Sequence, residues 1–205
     1  MIRVLLADDD SLVLQGLTTI LTSFDDIKLV GAVSSGAEAI ALCRTENPDV
    51  AVLDIRMPGI DGIEVARTLI AEGLASPLLL TTFDEPELIA RALEVGACGY
   101  VLKNSPVQRL HSAIFTVAEG GTVFSPDVLD FIRTQIHAPA QDVFAALTQR
   151  EREVVALIAE GLTNEQIAQR LYLANGTVRN HISTILEKTA LDHRTQIAVR
   201  YYQGN

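Results

Sequence analysis

Short apolar runs alternate with stretches whose apolar positions recur every three or four residues, and over residues 1–120 this alternation repeats five times. Ile2 to Ala7, Lys28 to Val33, Val50 to Leu53, Pro77 to Thr82 and Cys98 to Leu102 read as strands. The Val50–Leu53 run is apolar at every position, as in a strand buried on both faces of a parallel sheet. Between the strands, Leu12, Leu14, Leu17, Ile20 and Leu21 fall at helical spacing, and Ser35-Gly36 opens a helix through Leu42. Further helices run from Gly62 to Ile70, from Pro86 to Val95 with Gly96 as the stop, and from Pro106 to about Glu119. This order predicts a doubly wound α/β fold with a five-stranded parallel sheet. Right-handed crossovers then bring all five strand C-termini to one edge.

The period changes after Gly120-Gly121. Ser125-Pro126 opens a helix carrying Val128, Leu129, Phe131 and Ile132, and His137 to Gln141 reads as a linker. From Leu147 the pattern is wholly helical. Thr148 with Glu151, and Thr163 with Gln166, match capping boxes. The first of these helices shows Val154, Val155, Leu157 and Ile158 and stops at Gly161; the second runs from Asn164 to Leu171. Asn175-Gly176 then leads into a third, with Val178, Ile182 and Ile185 inside and Arg179, Asn180 and Ser183 outside. A last helix carries Ile197, Ala198 and Tyr201. Two short helices, a tight turn and a polar-faced helix form a helix-turn-helix, whose second helix enters the major groove. Arginine there reads guanine and asparagine reads adenine. On pattern alone, a small helical bundle used for protein contacts stands as the alternative. The expected organisation is therefore residues 1–120, a segment 121–146 holding a helix, and a small all-α domain over 147–205.

Charge sharpens this division. The net charge is −10. Residues 1–120 carry 8 basic against 17 acidic side chains, whereas residues 166–205 carry five basic (Arg170, Arg179, Lys188, Arg194, Arg200) against two acidic (Glu187, Asp192). A basic end on an acidic molecule fits nucleic-acid binding. No apolar run approaches the roughly 20 residues of a membrane span. The N-terminus passes from Leu5-Leu6-Ala7 straight into three aspartates, unlike a signal peptide. Cys43 and Cys98 lie within apolar patterns, as small core residues of a reducing compartment. A cytoplasmic protein with no membrane partner is expected.

The sheet edge collects the chemistry. Asp8, Asp9, Asp54, Thr81 and Lys103 lie at the ends of four apolar runs. Asp54 alone could simply start the Pro58-Gly59 turn, Lys103 could be a salt-bridge partner, and Thr81 a strand-end residue. Together they say more. Converging carboxylates repel, and a divalent cation relieves the repulsion; oxygen ligands suit magnesium, which commonly bridges carboxylates and a phosphate. A carboxylate can also attack a phosphoryl group to form an acyl phosphate, with Lys103 and the Thr81 hydroxyl contacting its oxygens.

With these residues, segment 1–120 resembles the receiver domain of two-component response regulators. The resemblance implies that Asp54 is phosphorylated by a sensor histidine kinase. It implies that Asp9, Asp54 and the Arg56 backbone carbonyl bind Mg2+, with Asp8 acting indirectly. Thr81 and Tyr100 become the switch pair and Lys103 the phosphate-contacting lysine. One departure is Asn104, which stands where many receivers have a proline joined by a cis peptide bond; a cis bond to a non-proline costs about 2.5–4 kcal/mol.

Leu147-Thr148-x-Arg150-Glu151-x-Glu153-Val154, Gly161-Leu162-Thr163-Asn164-x-x-Ile167-Ala168 and Thr177-Val178-Arg179-Asn180-His181 are similar to the LuxR-type DNA-binding domain. That resemblance implies base contacts from Arg179, Asn180 and Ser183, backbone contacts from Thr177 and Lys188, and a DNA-bound dimer contact from the last helix. Ala174 departs from the serine that usually caps the recognition helix. Asn175 is the candidate substitute, which would move the helix start by one residue. The two halves together resemble the NarL/FixJ class. The implied protein is a transcription regulator in which phosphorylation at Asp54 switches dimerisation and DNA binding at two-fold-related half-sites, with the transcription machinery downstream. The alternative is a phosphorylation-independent DNA-binding regulator with a receiver-like domain. Turnover chemistry is not expected: Asp8-x-Asp10 only superficially resembles a haloacid-dehalogenase nucleophile motif, and Leu12 departs from it.

Overall fold

The computed structural model describes residues 1–82, 86–124, 128 and 143–204. Its first half alternates β1 (Ile2–Ala7), α1 (Ser11–Thr22), β2 (Ile27–Val33), α2 (Gly36–Glu46), β3 (Val50–Asp54), α3 (Gly62–Glu72), β4 (Ser76–Thr81), α4 (Pro86–Glu94), β5 (Gly99–Leu102) and α5 (Val107–Ala118). The strands form one five-stranded sheet in the order β2-β1-β3-β4-β5, and every pairing is parallel. The second strand begins one residue earlier than its polar Lys28 suggested, and the fifth one residue later, at Gly99.

Side-chain alternation divides the core into two layers. Leu5, Ala7, Leu53 and Leu79 pack on one face with α2, α3 and α4. Val4, Leu6, Val52, Leu78 and Leu80 pack on the other with α1 and α5. β3 is buried along its whole length, which explains its uniformly apolar sequence up to Asp54. Two helices facing the edge start on side-chain caps: Asp10 accepts from Leu12 N at 2.9 Å, and Asp61 accepts from Glu64 N at 2.8 Å. Strand order reverses between β1 and β3, the place where open parallel sheets form a crevice beyond their strand ends.

Past α5 the chain returns to the sheet. Tyr100 N donates to Val123 O and Val123 N donates to Cys98 O, each at 3.0 Å, so Val123 extends the edge beside β5. The helix expected after Ser125-Pro126 and the linker from His137 to Gln141 lie outside the described residues, apart from Val128, which is buried.

The second half folds into α6 (Gln149–Ala159), α7 (Asn164–Leu171), α8 (Asn175–Thr189) and α9 (Arg194–Gly204). Val154, Ile158, Ile167, Val178, Ile185, Ile197 and Ala198 form its core. Both expected capping boxes are present, at Thr148/Glu151 and at Thr163/Gln166. The two halves pack together. Thr195 Oγ1, at the start of α9, donates to Ala97 O at 3.0 Å and lies 3.4 Å from Gly96 O, both in the turn between α4 and β5. Gly96 has a φ of 80°, and a Cβ there would overlap the His193 side chain. Val199 joins the core layer on the α4 side, and Phe124 packs against both the sheet layer and the helical core. Among the described residues, no helix is long and apolar enough to cross a membrane.

Candidate functional site

The crevice at the β1/β3 switch point holds the expected acids. Asp8 is fully buried and Asp54 is 5% exposed, while Asp9 is open to solvent. Asp8, Asp9 and Asp54 each offer a carboxylate oxygen, and these atoms lie within 4.8 Å of one another. Lys103 closes the group from the end of β5. Its Nζ lies 2.9 Å from Asp54 Oδ1 and 2.7 Å from Asp8 Oδ2. The Asp8 contact is a charge contact, since Oδ2 lacks a well-aligned hydrogen-bond donor. Asp8 Oδ1 accepts from Asp10 N at 3.1 Å, which fixes the turn out of β1.

Burial pushes the Asp54 carboxyl above the usual carboxylate range, and the charges of Asp8 and Asp9 add to it; Lys103 opposes both without cancelling them. Burial also works against the Lys103 charge, but its close contacts with the Asp8 and Asp54 carboxylates outweigh it and raise the ammonium pKa. One cation facing three carboxylates leaves negative charge uncompensated, which is the electrostatic signature of a divalent-cation site.

The backbone around the crevice is closely fitted. A Cβ at Gly62 would meet Asp54 O at 2.0 Å, so α3 can start against the end of β3 only with glycine there. Lys103 N donates to Thr81 O at 2.7 Å, tying the ends of β4 and β5 together. Thr81 is buried at the end of β4. Tyr100 is buried in β5, with its ring in the layer that holds Ile89, Leu93 and Phe124. The Lys103-Asn104 peptide, left open by the sequence, is not cis. Arg56 follows β3 in the loop toward α3 and is exposed.

The second candidate surface is the outer face of α8. Thr177, Arg179, Asn180 and Ser183 are all exposed there, while Val178 and Ile185 anchor the helix in its core. Ser183 Oγ donates to Arg179 O at 3.2 Å, leaving its oxygen as an acceptor toward solvent. The expected replacement cap does not form. α8 starts at Asn175 with Ala174 at the N-cap position and no side-chain cap bond, because the Asn175 amide oxygen accepts instead from Arg179 Nε at 3.2 Å.

Lys188 lies on the same helix but is engaged within the protein. Its Nζ donates to Glu151 Oε1 at 2.8 Å and to Oε2 at 2.9 Å. Glu151 thus closes the α6 capping box and ties α8 to α6, a second role that sequence cannot signal across 37 positions. The Lys188 hydrogen bonds, with the Thr148 backbone N–H, hold the Glu151 carboxyl down to about 2. A depressed carboxylate stabilises the fold above its ordinary value of 4.5, and that contribution is lost as pH falls through about 2. Glu151→Gln should therefore lower the thermal midpoint at pH 6, with the gap to wild type narrowing steadily below pH 4.5. A gap that stays constant down to pH 2 would rule out the ion pair as its source.

Comparison with known proteins covers both surfaces. Residues 4–115 match the response regulator receiver domain, and residues 145–201 match the bacterial regulatory proteins of the luxR family. The transcriptional regulatory protein DesR of Bacillus subtilis is 36% identical over 200 residues, spanning 98% of this chain and 96% of DesR. The DNA-binding transcriptional activator DevR/DosR of Mycobacterium tuberculosis is 37% identical over 205 residues, spanning 97% and 93%. Among solved structures, the response regulator ChrA of a heme-sensing two-component system aligns with a TM-score of 0.57 at 39% identity, over 98% of this chain and 96% of its own.

Proposed function

Because the chain belongs to the NarL/FixJ class of response regulators, two-component proteins that control transcription through a receiver and a luxR-type DNA-binding domain, we propose that Asp54 is its phosphoacceptor. The observation that carries this reading is the cluster itself: three carboxylates offering oxygens within 4.8 Å of one another at the sheet's switch point, with Lys103 ion-paired to two of them. A histidine kinase is the phosphoryl source. An Asp54 carboxylate oxygen attacks the phosphorus of the kinase phosphohistidine, the P–N bond breaks, and an acyl phosphate forms on Asp54. Lys103, already 2.9 Å from Asp54, contacts the transferred group, and the Thr81 hydroxyl moves toward its oxygens while Tyr100 keeps its ring inside.

The donor set fits Mg2+, whose expected ligands are Asp9, Asp54 and the Arg56 carbonyl, with Asp8 acting indirectly. When bound, it neutralises charge developing on the phosphoryl oxygens. Residues 1–120 form the receiver, 121–146 the connecting segment and 147–205 the DNA-binding domain. The protein accepts a phosphoryl group without turning over a substrate, and it acts in the cytoplasm on DNA and the transcription machinery.

DNA recognition belongs to α8, with Arg179, Asn180 and Ser183 toward bases and Thr177 toward the backbone. Lys188 reaches a phosphate only by giving up Glu151, so its first role is to hold α8 in place. α9 is the dimer contact on DNA, and the docking of Thr195, Val199 and His193 on the receiver supports a closed form in which that contact is unavailable. Phosphorylation shifts the population toward an open dimer.

Two measurements test this. Wild type treated with a phosphodonor should enrich two-fold-related half-sites from a random-sequence duplex library and run as a dimer on sizing with light scattering. Thr195→Val, which removes a net hydrogen bond of about 0.5–1.5 kcal/mol, should shift the untreated protein roughly 2- to 13-fold toward the open form. Small-angle X-ray scattering would show a larger radius of gyration; an unchanged radius would mean that this bond does not hold the closed form.

A further inference from the structure

We propose that Asn175 is a positioning residue for DNA reading: it holds the Arg179 guanidinium in the orientation that meets a base edge. The inference rests on the assignment of α8 as the DNA-reading helix, and it concerns a residue that touches no base itself. Asn175 is the first residue of α8, and its amide oxygen accepts from Arg179 Nε at 3.2 Å. Among the described residues this is the side-chain bond that Arg179 makes; no carboxylate pairs with it.

Three features give that bond a directional consequence. An i, i+4 partner on the N-terminal side pulls the arginine toward the start of the helix, the end that meets base edges in a helix-turn-helix. Occupation of Nε leaves both Nη groups unbonded among the described residues, and they form the two-pronged end that recognises guanine O6 and N7. An exposed arginine otherwise loses considerable rotamer freedom on docking, so a side chain ordered before contact binds more tightly. The empty N-cap fits the same reading. Asn175 could have supplied an acceptor for the helix start, yet its amide oxygen faces Arg179, and Ala174 offers none.

A purely structural role, as an ordinary i, i+4 pair that stiffens the helix, makes different predictions from a positioning role. The probe is the duplex that full-length wild type enriches from a random-sequence library, alongside an unselected duplex of equal length. Asn175→Ala should weaken binding to the selected duplex by about 2- to 10-fold, as expected for releasing one rotamer-rich side chain. Binding to the unselected duplex, the salt dependence and the thermal midpoint should stay as in wild type, because phosphate contacts are untouched. In an Arg179→Ala background the same substitution should have no further effect. Asn175→Gln, which keeps the amide but displaces it by one methylene, should behave like Asn175→Ala.

A loss that persists undiminished in the Arg179→Ala background, or that falls equally on the unselected duplex, would overturn the positioning role while leaving α8 as the reading helix. So would full affinity in both Asn175 variants. Failure of wild type to enrich any sequence would overturn the DNA-reading assignment, and this inference with it.

Discussion

After exposure to acetyl phosphate and magnesium, the intact mass of the wild-type chain should rise by one phosphoryl group, and that of Asp54→Asn should not rise at all. The expectation follows from position and charge. Asp54 ends β3, a strand buried at every residue, faces Asp8 and Asp9, and has Lys103 Nζ 2.9 Å from its Oδ1. The substituted amide would fill the same volume as the carboxylate, so the fold should survive; Lys103 would still pair with Asp8 at 2.7 Å. The carboxylate oxygen that attacks phosphorus would be gone. The same samples should show a dimer in treated wild type and none in the variant. Phosphorylation of Asp54→Asn at the wild-type level would remove Asp54 as the acceptor. Absence of any mass gain in folded wild type would favour a regulator that uses DNA-binding without phosphorylation.

Lys103→Met should produce the largest loss of stability. Its ammonium is the cation between Asp8, which is fully buried, and Asp54, which is nearly so. Removing one partner of a buried ion pair typically costs about 3–5 kcal/mol, because the remaining charge is neither hydrated nor compensated. Urea unfolding followed through the receiver transition should show that loss. Magnesium should return part of it, since a divalent cation supplies the missing positive charge among the carboxylates. The penalty should shrink in Asp54→Asn, where one of the two stranded carboxylates is already absent. A loss below about 1 kcal/mol would mean that water screens the group as it screens a surface pair.

Much of this architecture is legible in the chain because it depends on short-range rules. Five alternations of strand and helix, with the fixed hand of parallel crossovers, bring Asp8, Asp54, Thr81 and Lys103 to one edge without any contact being known. The capping boxes at Thr148 and Thr163 are three-residue relations, and both form as written. The division of α8 into an inner face at Val178 and Ile185 and an outer one at Arg179, Asn180 and Ser183 follows from helical period alone.

What the sequence could not reveal are partnerships between distant residues or competing bonds among near ones. Lys188 reads as a free basic residue on a DNA-facing helix, yet Glu151 on α6 engages it. Asn175 reads as a replacement cap, but the amide oxygen of an asparagine at a helix start can accept from a backbone N–H two or three residues on or from a side chain four residues on, and here Arg179 takes it. Thr195 carries no pattern at all; its hydroxyl is committed to carbonyls in a turn nearly a hundred residues earlier.

By itself, then, the amino-acid order determined the α/β receiver-like sheet, its acidic edge and the helix-turn-helix, because periodicity, chirality and local capping act within a few residues of each position. Only the tertiary structure decided that Lys103 pairs with the charges of Asp8 and Asp54 together, that Lys188 is held by Glu151, and that α9 lies against the turn between α4 and β5. Those outcomes depend on which surfaces meet when separate elements pack, and packing is set by the shape and burial of the whole fold.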